Sequence, residues 1–333
     1  MREPAFWWRA GTGGPLAPLA ALYGTVAGLR MKARGRKAGL PVICLGNLTI
    51  GGAGKTPAAL AVAQLLHTVH ERPFFLSRGY GGRLAGPLRV NPGLHHAADI
   101  GDEPVLLARL APTVVARDRV AGAAFAASAG ASVIVMDDGF QNPSLVKDLS
   151  IIVVDAASGV GNGLMIPTGP LRAPLNWQIA RADALIVIGS GDKAIPVADS
   201  FRGLAKPVLK ARMVPLQDAR WLGVLPVIGF AGIARPDKFF ATLKSHGTRL
   251  IDERSYPDHY RYSARQARSL LREARDYRAM LVTTAKDWVR LPDGEGTPQG
   301  ELKFRSRPFP IAVEFDDPAA VKSLLQNAIA KGN

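Results

Sequence analysis

Cysteine is almost absent from this 333-residue chain, Cys44 being the single one. That excludes a disulfide framework and any zinc site built on paired thiolates, and it suits a reducing compartment. Long apolar runs are missing too. The longest uncharged stretch, residues 10–29, is broken by prolines and glycines. Its helical part, Pro18 to Leu29, is far short of the roughly 20 apolar residues that a bilayer span needs. No basic leader with a cleavage site precedes it, so a secretory signal is not expected. Acidic residues are scarce beside basic ones, 27 against 42, which leaves a formal charge of +15. Such a surface draws anionic lipid, phosphorylated substrates or nucleic acid, and charge alone does not choose among them. No repeat or low-complexity segment is visible. With 47% hydrophobic and 21% charged residues, the chain is globular and has ample core.

The most informative stretch is Leu45 to Pro57, LGNLTIGGAGKTP. Pro41 to Leu45 predicts a short buried strand and Ala58 to Leu66 a helix, so Gly51, Gly52 and Gly54 fall in the connecting loop. Glycines let backbone N–H groups converge on an anion, and the helix start adds partial positive charge. Lys55 can reach the β- and γ-phosphates, and the Thr56 hydroxyl can hold Mg²⁺. This is a P-loop nucleotide site, read over Thr49, Ile50, Gly51, Gly52, Ala53, Gly54, Lys55 and Thr56. Thr49 stands where the strict pattern asks for glycine. Ile50 stands where dimerising ATPases with a related loop carry lysine, which disfavours that subclass.

From Pro41 onward, apolar runs alternate with helical segments. Arg72 to Leu76, Ala111 to Val115, Ser132 to Met136, Ser150 to Val154 and Ala184 to Ile188 read as strands, and Arg119 to Ala129 as a crossover helix. Continuous apolar strands between helices predict a P-loop NTPase-like α/β fold, a mostly parallel sheet with helices on both faces. Ligands then bind beyond the carboxyl ends of the strands. The alternation pauses around Val208 to Gln217. It resumes with the strand Leu225 to Phe230, the helices Pro236 to Ser245 and Ser263 to Tyr277, and the strand Ala279 to Thr284. The expected division is a segment 1–37, a P-loop core 38–215 and a smaller C-terminal α/β unit 216–333. The first segment joins Phe6, Trp7 and Trp8 to an apolar helix and the cluster Arg30, Lys32, Arg34, Arg36 and Lys37. Those are the parts of an amphipathic segment lying on an anionic membrane face. Packing of that helix on its own domain is the bland alternative.

Several polar residues follow strands directly. Asp137 and Asp138, after SVIVM, stand where a carboxylate partner for Mg²⁺ belongs, and Gln141 beyond them could orient a water or a hydroxyl. Asp102 in Gly101-Asp102-Glu103-Pro104 is either a helix cap or a catalytic carboxylate. His259 lies in a turn, YPDHY. Arg78 and Tyr80 lie in a glycine-rich loop, and Arg172 in the rigid turn TGPLRAP; arginine near a transferring phosphate stabilises developing charge.

In the order VICLGNLTIGGAGKTP, LSRGYGGR, GDEP, MDDGFQ, PTGPLR, GFAGIARPDKFF, YPDHY and TTAKD, these blocks resemble the tetraacyldisaccharide 4′-kinase family of lipid A biosynthesis. The resemblance implies a kinase at the cytoplasmic face of the bacterial inner membrane. It would use ATP and Mg²⁺ to phosphorylate the 4′-hydroxyl of a tetraacylated disaccharide 1-phosphate, giving lipid IVA. It implies that residues 49–56 wrap the phosphates, that Lys55 assists transfer, and that Thr56 with Asp138 serves the metal. Asp102 would be the base, assisted by His259, and Glu103 would help to order metal or water. Arg78, Tyr80, Gln141 and Arg172 would meet the substrate. The expected partners are the lipid A disaccharide precursor and the anionic inner-membrane surface, with no nucleic acid and no obligate protein partner. Ala285 stands where family members often carry glutamate. The rival readings are a P-loop ATPase or GTPase switch, disfavoured by Ile50 and the lack of an [NT]-K-x-D motif, and a basic nucleic-acid-binding protein, for which no recognition module is present.

Overall fold

In β1 (Val42–Gly46) every residue is buried. Val42 and Cys44 pack into one hydrophobic cluster while Ile43 and Leu45 pack into another. Side chains alternate across a strand, so a strand apolar at every position needs cover on both faces. The computed structural model supplies it, and describes residues 3–9, 11, 14–294 and 296–332. Of the expected segment 1–37, residues 1, 2, 10, 12 and 13 lie outside the described residues.

The chain runs through α1 (Ala17–Met31), β1, α2 (Lys55–Thr68), β2 (Pro73–Ser77), the short β3 (Leu88–Arg89), α3 (Ala97–Ile100) and α4 (Asp102–Leu107). It continues with β4 (Thr113–Val115), α5 (Arg119–Ser128), β5 (Val133–Asp137), β6 (Leu149–Asp155), α6 (Leu175–Arg181), β7 (Ala184–Ile188), α7 (Ile195–Gly203) and β8 (Val208–Pro215). The second unit holds β9 (Val227–Ala231), α8 (Pro236–Ser245), β10 (Leu250–Ser255), α9 (Ala264–Asp276), β11 (Met280–Thr284), α10 (Ala285–Arg290), α11 (Pro298–Arg305) and β12 (Ser306–Phe309). β13 (Ile311–Phe315) and α12 (Pro318–Gly332) close the chain.

Nine strands form one sheet in the order β13-β8-β7-β6-β1-β5-β2-β4-β3, and four form another, β10-β9-β11-β12. The inner pairs of the large sheet are parallel, and only its two edges, β13 on β8 and β3 on β4, are antiparallel. All pairs of the small sheet are parallel.

Two expectations need correction. Val208–Pro215, read as a pause, is the strand β8; its flanking prolines and its exposed Lys210 mask an apolar period. The second unit ends at Phe309 and not at the C-terminus. β13 returns to pair with β8, and α12 packs Val321, Leu325, Ala328 and Ile329 into the large sheet's core. The second unit is therefore an insertion between two adjacent strands of the first.

α1 packs through small residues on α6 and the loop before it. Its buried positions are Ala20, Gly24, Gly28 and Met31, with Met165 against Gly24 and Trp177 against Gly28. Leu19, Leu22, Tyr23, Val26 and Leu29 face outward. No helix among the described residues is long and apolar enough to cross a membrane.

Leu325 is 1% exposed, so Leu325→Ala is expected to cost about 2–5 kcal/mol from lost burial and the cavity left behind. Urea unfolding of the whole chain measures it; an unchanged midpoint would mean that α12 does not complete the core.

Candidate functional site

A cleft of about 1770 Å³ opens beyond the carboxyl ends of the parallel strands, between the two units. The P-loop forms one wall. Gly51 and Gly54 have φ of 108° and 86°, values that only glycine adopts without strain, and the turn they make ends with Gly54 capping α2. The Ile50 amide donates to the Pro170 carbonyl at 2.8 Å, and Asn47 Nδ2 donates to the Gly51 carbonyl at 3.2 Å. Both bonds pin the loop, and residues 50–56 line the cleft. The N-terminal residues 3–8 lie close by: the Glu3 carboxylate rests against Gly51, and the Arg235 guanidinium stacks 4.2 Å over the Trp8 ring.

Lys55 and Thr56 begin α2 and meet the end of β5. Thr56 Oγ1 donates to Asp137 Oδ2 at 3.2 Å, and Lys55 Nζ lies 3.7 Å from Asp138 Oδ1. Thr56 was expected to share a metal with Asp138; the carboxylate beside it is Asp137. Asp138, in a positive-φ turn, is instead gripped by both terminal nitrogens of Arg172 at 2.8 and 3.3 Å. Burial pushes the Asp137 carboxyl up to about 6, with the Asp138 charge adding to it. Burial would raise Asp138 too, but Lys55 and Arg172 outweigh it and hold it at about 2. The other oxygen of Asp137, Oδ1, is buried with no hydrogen-bond partner. A buried carboxylate oxygen left without a donor, next to a P-loop hydroxyl, fits a hard divalent cation.

Arg78, Tyr80, Gln141 and Arg172, expected to meet substrate, all line the cleft, and the Tyr80 ring lies 5.5 Å from His259. Two of them also tie the loops together: Arg172 Nε donates to the Thr49 carbonyl at 3.0 Å, and Gln141 Nε2 donates to the Asn47 carbonyl at 2.7 Å and to Gln178 Oε1 at 3.0 Å.

The second wall joins the two units. Gly101 at φ 88° passes so close to the Tyr80 carbonyl that a side chain would collide, and this approach delivers Asp102 and Glu103 at the start of α4. Asp102, 7% exposed, meets His259 Nδ1 at 2.9 Å across the boundary between the units. Burial works to raise Asp102, but the bond from His259 and the charge of Arg290 hold it at about 2. Because Asp102 is then an acceptor only, in the neutral ring the shared proton sits on Nδ1 and the lone pair on Nε2, which lies 3.8 Å from Asp258 Oδ2. His259 itself is raised above its ordinary value, first by that hydrogen bond. His259 and Glu103 line the cleft, with Asp102 behind them. Glu103, expected near the metal, is paired with Lys286 at 2.7 Å. Asp102, Glu103 and His259 have ligand atoms within 4.8 Å of one another. Lys286 and Arg290 pair with the two carboxylates.

Sequence reasoning did not single out Lys286, Arg290 or Arg119. Arg119 begins α5, is 3% exposed, lines the cleft, and has an Nε with no hydrogen-bond partner. Burial lowers its pKa to about 10, with the Arg78 charge adding to the effect and Asp138 and Asp137 opposing it. Nothing in its sequence, an arginine after a helix-capping aspartate, distinguishes it from a surface residue.

A family model described as tetraacyldisaccharide-1-P 4′-kinase matches residues 14–330. A tetraacyldisaccharide 4′-kinase of Methylobacterium radiotolerans is 52% identical, covering 99% of both chains. One of a Bradyrhizobium species is 49% identical over 99% of this chain and 96% of its own length. The solved LpxK of Aquifex aeolicus, crystallised in complex with ATP, superposes with a TM-score of 0.69 at 25% identity, covering 95% of this chain and 99% of that one. With a family match over nearly its whole length, and with relatives that it covers almost end to end, this chain belongs to the tetraacyldisaccharide 4′-kinase family.

Proposed function

We propose that the chain transfers the γ-phosphoryl group of ATP to the 4′-hydroxyl of a tetraacyldisaccharide 1-phosphate, giving lipid IVA. The observation that carries this reading is the Asp102–His259 pair, which shares one cleft with a P-loop. A switch ATPase has no use for a buried carboxylate–imidazole pair; an alcohol acceptor needs one to take its proton.

The P-loop amides, the start of α2 and Lys55 hold the phosphates. Thr56 and Asp137 are the residues that would hold Mg²⁺, which when bound neutralises charge developing on the phosphate oxygens. Arg172 keeps Asp138 ionised and fixed beside Lys55. His259 Nε2 takes the proton of the 4′-hydroxyl as its oxygen attacks, and Asp102 holds the ring and stabilises the imidazolium that forms. The base is thus His259, with Asp102 orienting it, which reverses the expected roles. Arg119 and Arg78 offer guanidinium groups to the acceptor's own phosphate. The outward Leu19, Leu22, Val26 and Leu29 of α1, followed by the basic cluster 30–37, suit an anionic membrane surface on the side that holds ATP.

Transfer from γ-labelled ATP in mixed micelles tests the reaction. Wild type is expected to transfer, and His259→Ala and Asp102→Asn to lose about 10²–10⁴-fold in kcat; full activity in either would remove the pair from the mechanism. Because Asp102 raises His259, the neutral base is lost as pH falls through that raised pKa. The acid limb of kcat in Asp102→Asn is therefore expected at lower pH than in wild type, below a reduced plateau. An unmoved limb would mean that another group titrates.

Arg119→Gln is expected to raise KM for the acceptor about tenfold, roughly one charge-assisted bond, and to leave KM for ATP unchanged. The opposite pattern would assign Arg119 to the nucleotide. Leu19→Glu with Leu22→Glu is expected to abolish binding to anionic vesicles, measured by flotation; retained binding would mean that α1 is not the contact.

A further inference from the structure

The block TTAKD was part of the family likeness but had no role in the chemistry read from it. In the structure it ends β11 and opens α10. Thr284 caps the helix through a bond with Asp287, and the helix then presents Lys286 and Arg290 four residues apart on one face. Across the boundary between the units lie two adjacent carboxylates at the start of α4. Lys286 meets Glu103 at 2.7 Å; Arg290 meets Asp102 Oδ2 through Nε at 2.6 Å and Nη2 at 2.5 Å.

Arg290 is itself held from behind. Its Nη1 donates to the Gly232 carbonyl at 2.6 Å and to Asp287 Oδ1 at 3.0 Å. Asp287 is fully buried and also accepts from Tyr262 at 3.0 Å and from the Gly232 amide at 2.9 Å. The Gly232 carbonyl has a second donor, the backbone N–H of His259 at 3.1 Å. That bond accompanies a φ of 56° at His259, a conformation that a non-glycine residue keeps only when its surroundings impose it.

A closed ring results. Gly232 O fixes the His259 backbone and the Arg290 guanidinium, and both side chains then converge on one oxygen of Asp102. Three of its members, Gly232, His259 and Arg290, come from the second unit, and only Asp102 comes from the first. We propose that Arg290 is a positioning residue for phosphoryl transfer: it fixes the Asp102 carboxylate so that His259 Nε2 faces the cleft, and with Lys286 it clasps the second unit to the first in the geometry that transfers. Arg290 lies behind Asp102 and is not among the residues that line the cleft.

The inference rests on the kinase reading of the site, and a double-mutant cycle tests the two separately. Arg290→Gln is expected to lower kcat about 100-fold, the scale set by small misplacements of a catalytic group, with KM for ATP changed less than about threefold. Arg290→Lys keeps the cation but not the two-nitrogen grip, and is expected to recover about a tenth of wild-type kcat. In an Asp102→Asn background, Arg290→Gln is expected to cost less than about threefold, because its target is already gone.

Binding of a fluorescent ATP analogue to the first unit's P-loop checks that each variant is folded. If Arg290→Gln costs the same factor in both backgrounds, or raises KM for ATP while kcat holds, the positioning role is overturned. If wild type transfers no phosphate to the lipid acceptor, the reading beneath it falls instead.

Discussion

Buried charge has to be answered by charge, and in this molecule the answers come from different elements each time. His259 and Arg290, from the second unit, converge on Asp102, and Lys286 answers Glu103; Lys55 and Arg172, from α2 and from the turn before α6, converge likewise on the more open Asp138. Taking such groups out of water costs several kcal/mol each unless the partner geometry is good. The pairs therefore act as fasteners as much as chemistry. They dictate how the turn 168–174 lies against the P-loop and how the second sheet sits on the first. Among the described residues that line the cleft, Asp137 Oδ1 and Arg119 Nε are buried polar atoms left unanswered, chemistry that suits a cation at the first and an anion at the second.

Much of this was legible in the residues. The strands flanking the P-loop announce themselves as unbroken apolar runs, and β7 and α8 begin and end where their patterns do. The ends of the large sheet were not legible, for a physical reason. β13 at the edge and β8 beside it mix half-buried and exposed positions with few buried ones and carry charged residues, so neither has the continuous apolar signal of the strands further in. The site divides in the same way. Motif residues with a fixed distance along the chain, such as Gly54, Lys55 and Thr56, could be read together. Asp102 and Arg290, 188 positions apart, meet only through the fold. Asp137 and Asp138 both line the cleft, one beside Thr56 and the other beside Lys55, and a sequence does not say which of two neighbours meets which partner.

The N-terminal helix combines both readings weighed for it. One face packs on the domain through Ala20, Gly24 and Gly28, and the other exposes leucines and Val26. A helix usually turns its large apolar side chains to the core. Here the small ones face inward and the large ones outward, which lets the helix lie close to the protein and still offer an apolar surface.

The second unit is an insertion: the first sheet is left at β8 and rejoined at β13, its direct neighbour, with Pro310 as the single residue between β12 and β13. The phosphate cradle is thus encoded wholly in the parent fold, while the imidazole comes with the inserted piece. The loop that cradles phosphate and the turn that carries the imidazole are therefore held by separate sheets, and the cleft exists only where the two pieces meet.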